Sequence, residues 1–184
     1  MKSLKRIGLL ALLLVPIFFF VFLIQFGNNH FDLPYYGDRL GVDEQGDTLY
    51  ASVPEALLAE HKEKVTVYVF FDSLSSMNSI SKLNQLSRLE QWYQNKYPLN
   101  IVFIGDTSLH EPLAFPILPD ADTFAKAFFI KTENMLLEKE VVPVSNLFVL
   151  LDKENRVRGY YNGIDKFGLD RLKEEISILI KNDK

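Results

Sequence analysis

Met77 and His110 are the side chains in this chain best suited to hold a soft metal, and Asp72, Ser73, Ser75, Ser76 and Asp106 are those best suited to proton transfer or nucleophilic attack. Met77 lies in the polar turn DSLSSMNS that follows the apolar run VTVYVFF. A thioether ligates Cu(I), yet one methionine with no second sulfur or imidazole beside it is a poor cage. The competing reading is that Met77 fills space against the start of the next helix. His110 follows a second apolar run, and a lone loop histidine is more often solvated than liganded. His30 and His61 are not placed near Met77 by anything in the sequence. A serine nucleophile needs a base within hydrogen-bond reach, and no G-x-S-x-G elbow or spaced Ser, His, Asp set occurs. Asp and Ser at a strand-to-helix junction read instead as caps for the free N–H groups of the helix start. The chain contains no cysteine. Disulfides, thiolate metal sites, a lipoprotein cysteine and thiol–disulfide exchange are therefore all excluded.

The elements that must position these residues follow from periodicity. Val65 to Phe71 is apolar on both faces, as a central strand covered on two sides should be. Ile80, Leu83, Leu86, Tyr93 and Tyr97 recur at helical spacing with Lys82, Arg88 and Glu90 between them, which predicts a helix over 80–97 closed by Pro98. IVFI at Ile101 to Ile104 is a second, parallel strand. Three prolines in SLHEPLAFPILPDAD exclude regular structure there. A helix from Thr123 to Leu137 is expected next, capped by Asp120 or Asp122. Leu147 to Leu151 and Val157 to Tyr161 then form a hairpin across Asp152 to Asn155, and Leu169, Leu172, Ile176, Leu179 and Ile180 stripe a closing helix. Residues 27–64 read as a linker and lead-in, turn-rich and irregular, with VPEALLAEHKEK as a short helix or an edge segment. Trp92 reads as packing, and Lys131 and Lys139 as a solvated face. The order βαβ, helix, ββα predicts an α/β domain of thioredoxin-like type over 65–184.

Length and composition suit one such domain plus an appendage: 184 residues, 48% hydrophobic and 13% aromatic, are ample for a packed core. Ile7 to Phe26 is an almost purely apolar run of about 20 residues, the length that spans a bilayer as a helix. The sequence GNNHFD after it offers no small-x-small cleavage site. Residues 1–26 are therefore expected to be a basic head and a single transmembrane helix, in which a central Pro16 is tolerable; a long cleaved signal peptide is the alternative. Lys2, Lys5 and Arg6 hold the head in the cytoplasm and place the body on the outer, periplasmic face of a bacterial-type membrane. The net charge is −4 with the cations of the head included, so the body is more acidic still. Nucleic acid is not expected as a partner.

Two segments carry a resemblance to a known family. FFDSLSSMNS resembles the copper-site turn of the Sco/SenC family, membrane-anchored thioredoxin-fold proteins of cytochrome c oxidase assembly, and SNLFVLLDKENRVRGYYNG resembles that family's closing hairpin. Tyr35 to Gly37 and Gly46 to Tyr50 are similar to bacterial members. The resemblance implies a copper site built from two cysteines three residues apart in the turn and a histidine just before the hairpin. Here those positions hold Leu74, Asn78 and Val144, none of which supplies a soft donor. The implied expectation is a redox-inactive scaffold without the family's metal chemistry.

The reading that follows is a non-enzymatic, membrane-tethered module, with no cofactor, that docks another envelope or respiratory-assembly protein through a turn made apolar by Leu74 and Met77. Two alternatives stand beside it. One is a copper-binding assembly factor using Met77 and His110 as substitute ligands, with others lent by a partner. The other is unrelated enzyme chemistry on the same scaffold near Asp72 and Asp106.

Overall fold

The computed structural model describes residues 14–22, 32–43, 46–58, 64–71, 77–93, 99–105, 117–131, 133–137 and 140–182, with the side chains of 77–81, 83, 92 and 182 outside that description. It divides into two units, Met1–Asp32 and Leu33–Lys184. In the first, residues 14–22 are helical (α1) and expose Phe18, Phe19 and Phe20. Among the described residues no helix is long and apolar enough to cross a membrane. The rest of the apolar run 7–26 lies outside them.

The second unit is organised by β3 (Val65–Phe70), whose six residues are all buried. It pairs in parallel with β4 (Leu99–Ile104) and antiparallel with β8 (Leu147–Leu151). β9 (Val157–Asn162) adds antiparallel to β8, and the short β5 (Ile117–Leu118) adds parallel to β4. The order β5-β4-β3-β8-β9 gives one mixed sheet with the expected crossover and closing hairpin. Strand alternation sends Val65, Val67 and Val69 to one face, where they meet Leu86, Leu89 and Tyr93 of α2 (Met77–Tyr93) and Leu172 and Ile176 of α4 (Lys166–Asn182). It sends Tyr68 and Phe70 to the other face, against Phe124 of α3 (Ala121–Ala127) and Phe128, which caps its C-terminus. The Tyr93 hydroxyl donates to the Lys173 carbonyl at 2.9 Å and so ties α2 to α4. Continuous apolar runs therefore become central strands because each face has its own helix layer.

Several expectations change. The lead-in is not irregular: β1 (Arg39–Val42) and β2 (Thr48–Tyr50) form a hairpin, and Glu55–Leu57 make one 3-10 turn. Its main chain joins the body, Tyr36 N–H donating to the Val157 carbonyl and Val53 N–H to the Asn155 carbonyl. The predicted loop at 72–79 ends early, since α2 already includes Met77 and Asn78. The proline-rich stretch still supplies β5. The predicted helix from Thr123 to Leu137 stops at Ala127, and β6 (Asn134–Leu137) and β7 (Glu140–Pro143) form a second hairpin in its place. Met135 and Leu137 are half-buried while Asn134 and Leu136 are exposed, a period of two that only a strand satisfies.

Candidate functional site

A groove of about 1000 Å3 opens where the carboxyl end of β3 meets α3 and the loop before β8. Phe70 and Phe71, the last residues of the central run, form part of its floor with Ala125, Ile130 and Val144. Charged residues stand around it: Asp38, Asp122, Lys126, Lys131 and Glu133. Val144 begins a 3-10 turn, Val144–Asn146, and its N–H donates to the Glu133 carbonyl at 2.9 Å. The groove lies at the end of the central parallel pair, where loops of such sheets gather.

Two residues that the sequence did not single out shape this groove. Lys82 falls between the apolar positions of the predicted helical stripe, yet only 3% of it is exposed, and its ammonium donates to the Ser145 carbonyl at 2.6 Å. The spacing 82, 86, 89, 93 sets Lys82 in line with the buried Leu86, Leu89 and Tyr93, so the signal was its register rather than its residue type. Phe129 carries φ 60 at the end of α3. Ile130 N–H donates to the Ala125 carbonyl and Phe129 N–H to that of Lys126, the paired bonds of a Schellman ending. Glycine is the usual residue there, and a side chain in the left-handed region costs about 1–2 kcal/mol. The strain places the Phe129 ring over Gly37, where a Cβ would stand 2.9 Å from it and where φ is 142. Nothing in the residue types around Phe129 announces that geometry.

The N-terminus of α3 is capped by Asp120, one of the two residues expected to do so, whose carboxylate accepts from Thr123 N–H at 3.2 Å. That bond holds its carboxyl below the usual carboxylate range. Among the predicted site residues, Val144 is half-buried on the groove wall. Met77 and Asn78 sit in the first turn of α2, and nothing is described of their side chains. Leu74, Asp72, Ser73, Ser75, Ser76, Asp106, His110, His30 and His61 lie outside the described residues. Lys131 is exposed at the groove, while Lys139 is not described. Among the described residues no cluster of three or more His, Cys, Asp or Glu could hold a metal ion.

No protein-family profile and no curated protein matches the sequence. Solved structures do match. A putative thiol:disulfide interchange protein DsbE from Chlorobium tepidum shares 14% identity over 80% of this chain and 99% of its own, with a TM-score of 0.51. Trgpx in its apo form shares 17% identity over 82% and 93%, at 0.50. A SCO1/SenC family lipoprotein from Bacillus anthracis str. Ames shares 14% over 82% and 96%, at 0.49. The fold is thioredoxin-like. In this thioredoxin-like chain the groove occupies the end of the sheet from which the turn after β3 departs, and the absence of cysteine leaves that turn no thiol nucleophile.

Two polar clusters lie in the rest of the thioredoxin-like body. Asp152, at the β8–β9 turn, accepts from Arg156 and Arg158 through one carboxylate oxygen and from the N–H groups of Glu154 and Arg156 through the other. Arg158 also donates to the Leu33 carbonyl at 2.8 Å and lies 3.9 Å from the Tyr35 ring centroid. Tyr35 stacks on Tyr50 at 4.6 Å, so the two N-terminal segments noted in the sequence pack on each other. On the α4 face, the buried Tyr161 hydroxyl donates to Glu175 at 2.5 Å, and Arg171 donates to the other oxygen at 2.7 Å. Burial, then the Glu175 charge, pushes the Tyr161 phenol well up. Gly159 makes room for that phenol: a Cβ there would stand 2.1 Å from its oxygen.

Proposed function

We propose that this protein is a membrane-tethered, redox-inactive thioredoxin-like module of the Sco/SenC type that docks an extended apolar segment of another envelope or respiratory-assembly protein in the groove beside β3. The observation that carries the reading is the groove itself: an apolar floor of Phe70, Phe71, Ile130 and Val144 within a charged rim, in a chain that has no cysteine. A floor of that kind favours a segment that brings apolar side chains, and the charges of both signs around it select its register. The anchor is supported by the apolar run Ile7 to Phe26, and the outward orientation by Lys2, Lys5 and Arg6. Leu74 and Met77, the docking residues expected from the sequence, follow Phe71 within six positions, and a charged substitution of either is a second test of the same reading. No cofactor and no nucleic acid take part in this reading.

The test uses the full-length protein in its native membranes, with a photo-activated phenylalanine analogue at Val144 and, as control, at Lys181 on the far end of α4. A discrete adduct from Val144 that vanishes when Ala125 is changed to Glu supports groove docking. Equal adducts from both positions would refute it. A parallel Cu(I) competition on the detergent-solubilised chain separates the copper reading. Copper held against a strong chelator, and lost with Met77→Ala or His110→Ala, would replace the docking module by a copper protein.

A further inference from the structure

Along the outer edge of β9 a pocket of about 210 Å3 opens between the β6–β7 hairpin and the first turn of α4. Tyr160, Tyr161 and Asn162 all line it. Side chains of consecutive strand residues alternate between faces, so a wall shared by three of them lies on the strand's edge. Main-chain parity agrees. Gly163 N–H donates to the Asn146 carbonyl at 2.8 Å, so in this register the pairs 148–161 and 150–159 exchange bonds with β8, and the N–H and carbonyl of Tyr160 point outward. Among the described residues no group bonds them. The chain itself covers the edge on either side of Tyr160. The Val157 carbonyl accepts from Tyr36 N–H at 2.9 Å, and α4 packs so closely on Asn162 that a Cβ at Gly168 would stand 2.6 Å from its carbonyl oxygen. One open residue cannot add a strand, but it can pair with a single residue of a guest.

The charge of the pocket says which residue. Arg171 is committed to the protein: its Nε donates to Glu175 at 2.7 Å, and its guanidinium lies 5.3 Å from the Tyr161 ring centroid. The neighbouring Lys166 does not line the pocket. Two carboxylates remain, Glu140 on the hairpin wall and Asp165 on the helix wall. Each accepts through one oxygen, from Asn162 Nδ2 at 3.2 Å and from Gly168 N–H at 3.1 Å. An ionised carboxylate has about four acceptor sites, so both keep capacity for a cation. Leu137 and the Phe167 ring, 65% exposed, add apolar surface of the kind an alkyl stem covers. The volume falls below the range of about 300–1,000 Å3 for drug-sized ligands and suits one side chain. We propose that this pocket takes a lysine of a partner protein, its peptide group paired with Tyr160, its stem on Leu137 and Phe167 and its ammonium facing Glu140 and Asp165. The site does not depend on docking in the groove beside β3.

The test places 4-fluorophenylalanine at position 167 of the full-length protein in non-ionic detergent and follows its fluorine signal. The probes are a blocked alanyl-lysyl-alanine tripeptide, its norleucine counterpart, and the lysine peptide with the lysine amide nitrogen methylated. The lysine peptide should shift the signal with a millimolar midpoint. Norleucine, which keeps the stem and lacks the charge, should bind about tenfold more weakly or worse. Methylation should weaken binding severalfold, because Tyr160 loses its donor. Glu140→Gln with Asp165→Asn keeps an oxygen for Asn162 and for Gly168, so the melting temperature should hold while the preference for lysine over norleucine disappears. Ala125→Glu, which blocks the groove, should leave lysine binding as it was. No shift at millimolar peptide, equal binding of lysine and norleucine, methylation without effect, or a preference that survives the double variant would each overturn the proposal. Loss of binding with Ala125→Glu would place the lysine in the groove instead and overturn it too.

Discussion

Replacing Asp152 by Asn should destabilise the body by about 3 kcal/mol, although the substitution preserves size and shape. The asparagine oxygen keeps the two turn bonds, from Glu154 N–H at 3.1 Å and Arg156 N–H at 2.9 Å. Its amide nitrogen takes the place of the oxygen that accepts from Arg156 Nε at 2.9 Å and Arg158 Nη1 at 3.1 Å. Two guanidinium donors then face a third donor. Arg156 is part-exposed and can turn to Glu154, which already accepts from it at 2.9 Å, so its loss is modest. Arg158 is buried with a side-chain exposure of 8% and retains only the Leu33 carbonyl and the Tyr35 face. Removing one partner of a buried pair costs about 3–5 kcal/mol, and those two residual contacts put this case at the low end. With a urea slope of about 2 kcal/mol per molar for a domain of this size, the unfolding midpoint should fall by about 1.5 M. Arg156→Gln should lose less than about 1 kcal/mol in the same assay. A loss below about 1 kcal/mol for Asp152→Asn, or an equal loss for Arg156→Gln, would show that the pair does not fasten the N-terminal segment.

Three further outcomes are expected. Lys82→Met should lower stability by about 1–3 kcal/mol, because the Ser145 carbonyl loses its ammonium donor; an unchanged melting temperature would show that this bond does not hold the turn at Ser145. Phe129→Gly should relieve about 1 kcal/mol of backbone strain while loosening the contact over Gly37, so partner cross-linking from Val144 should drop with little change in melting temperature. Burial raises the phenols of Tyr68, Tyr160 and Tyr161, so the folded chain keeps protons that the unfolded chain releases near pH 10. Stability is then full below pH 10 and falls above it by up to about 4 kcal/mol per pH unit for the three together, measured by thermal melts at pH 9, 10 and 11. Phenolate absorbance near pH 10 in the still-folded protein that is lost with Tyr68→Phe, Tyr160→Phe or Tyr161→Phe would contradict this.

The central architecture was legible because burial on both faces writes itself as uninterrupted apolar runs, VTVYVF and LFVLL, and because the 3.6-residue stripe of Leu169, Leu172 and Ile176 has no competing interpretation. The stretch from Ala121 to Pro143 was misread because alanine, lysine and leucine satisfy either period. The deciding feature, a left-handed phenylalanine at 129, has no signature in residue type. Lys82 escaped notice for the opposite reason: its type signals solvent, and the bond from its ammonium to the Ser145 carbonyl, 63 residues away in sequence, helps offset its burial. Asp120 was recognisable as a cap because that role depends on side-chain chemistry and position alone.

Gly159 and Tyr161 sit two residues apart on one strand, on the same side of the pleat, with the phenol lying in the space a Cβ at 159 would need. Neither position is free to vary alone. A larger residue at 159 is excluded while 161 is aromatic, and trimming 161 first would strand the Glu175 carboxylate without its phenol. Sequence drift at this edge must therefore pass through paired substitutions, and descendants of this chain should show the two sites changing together or not at all.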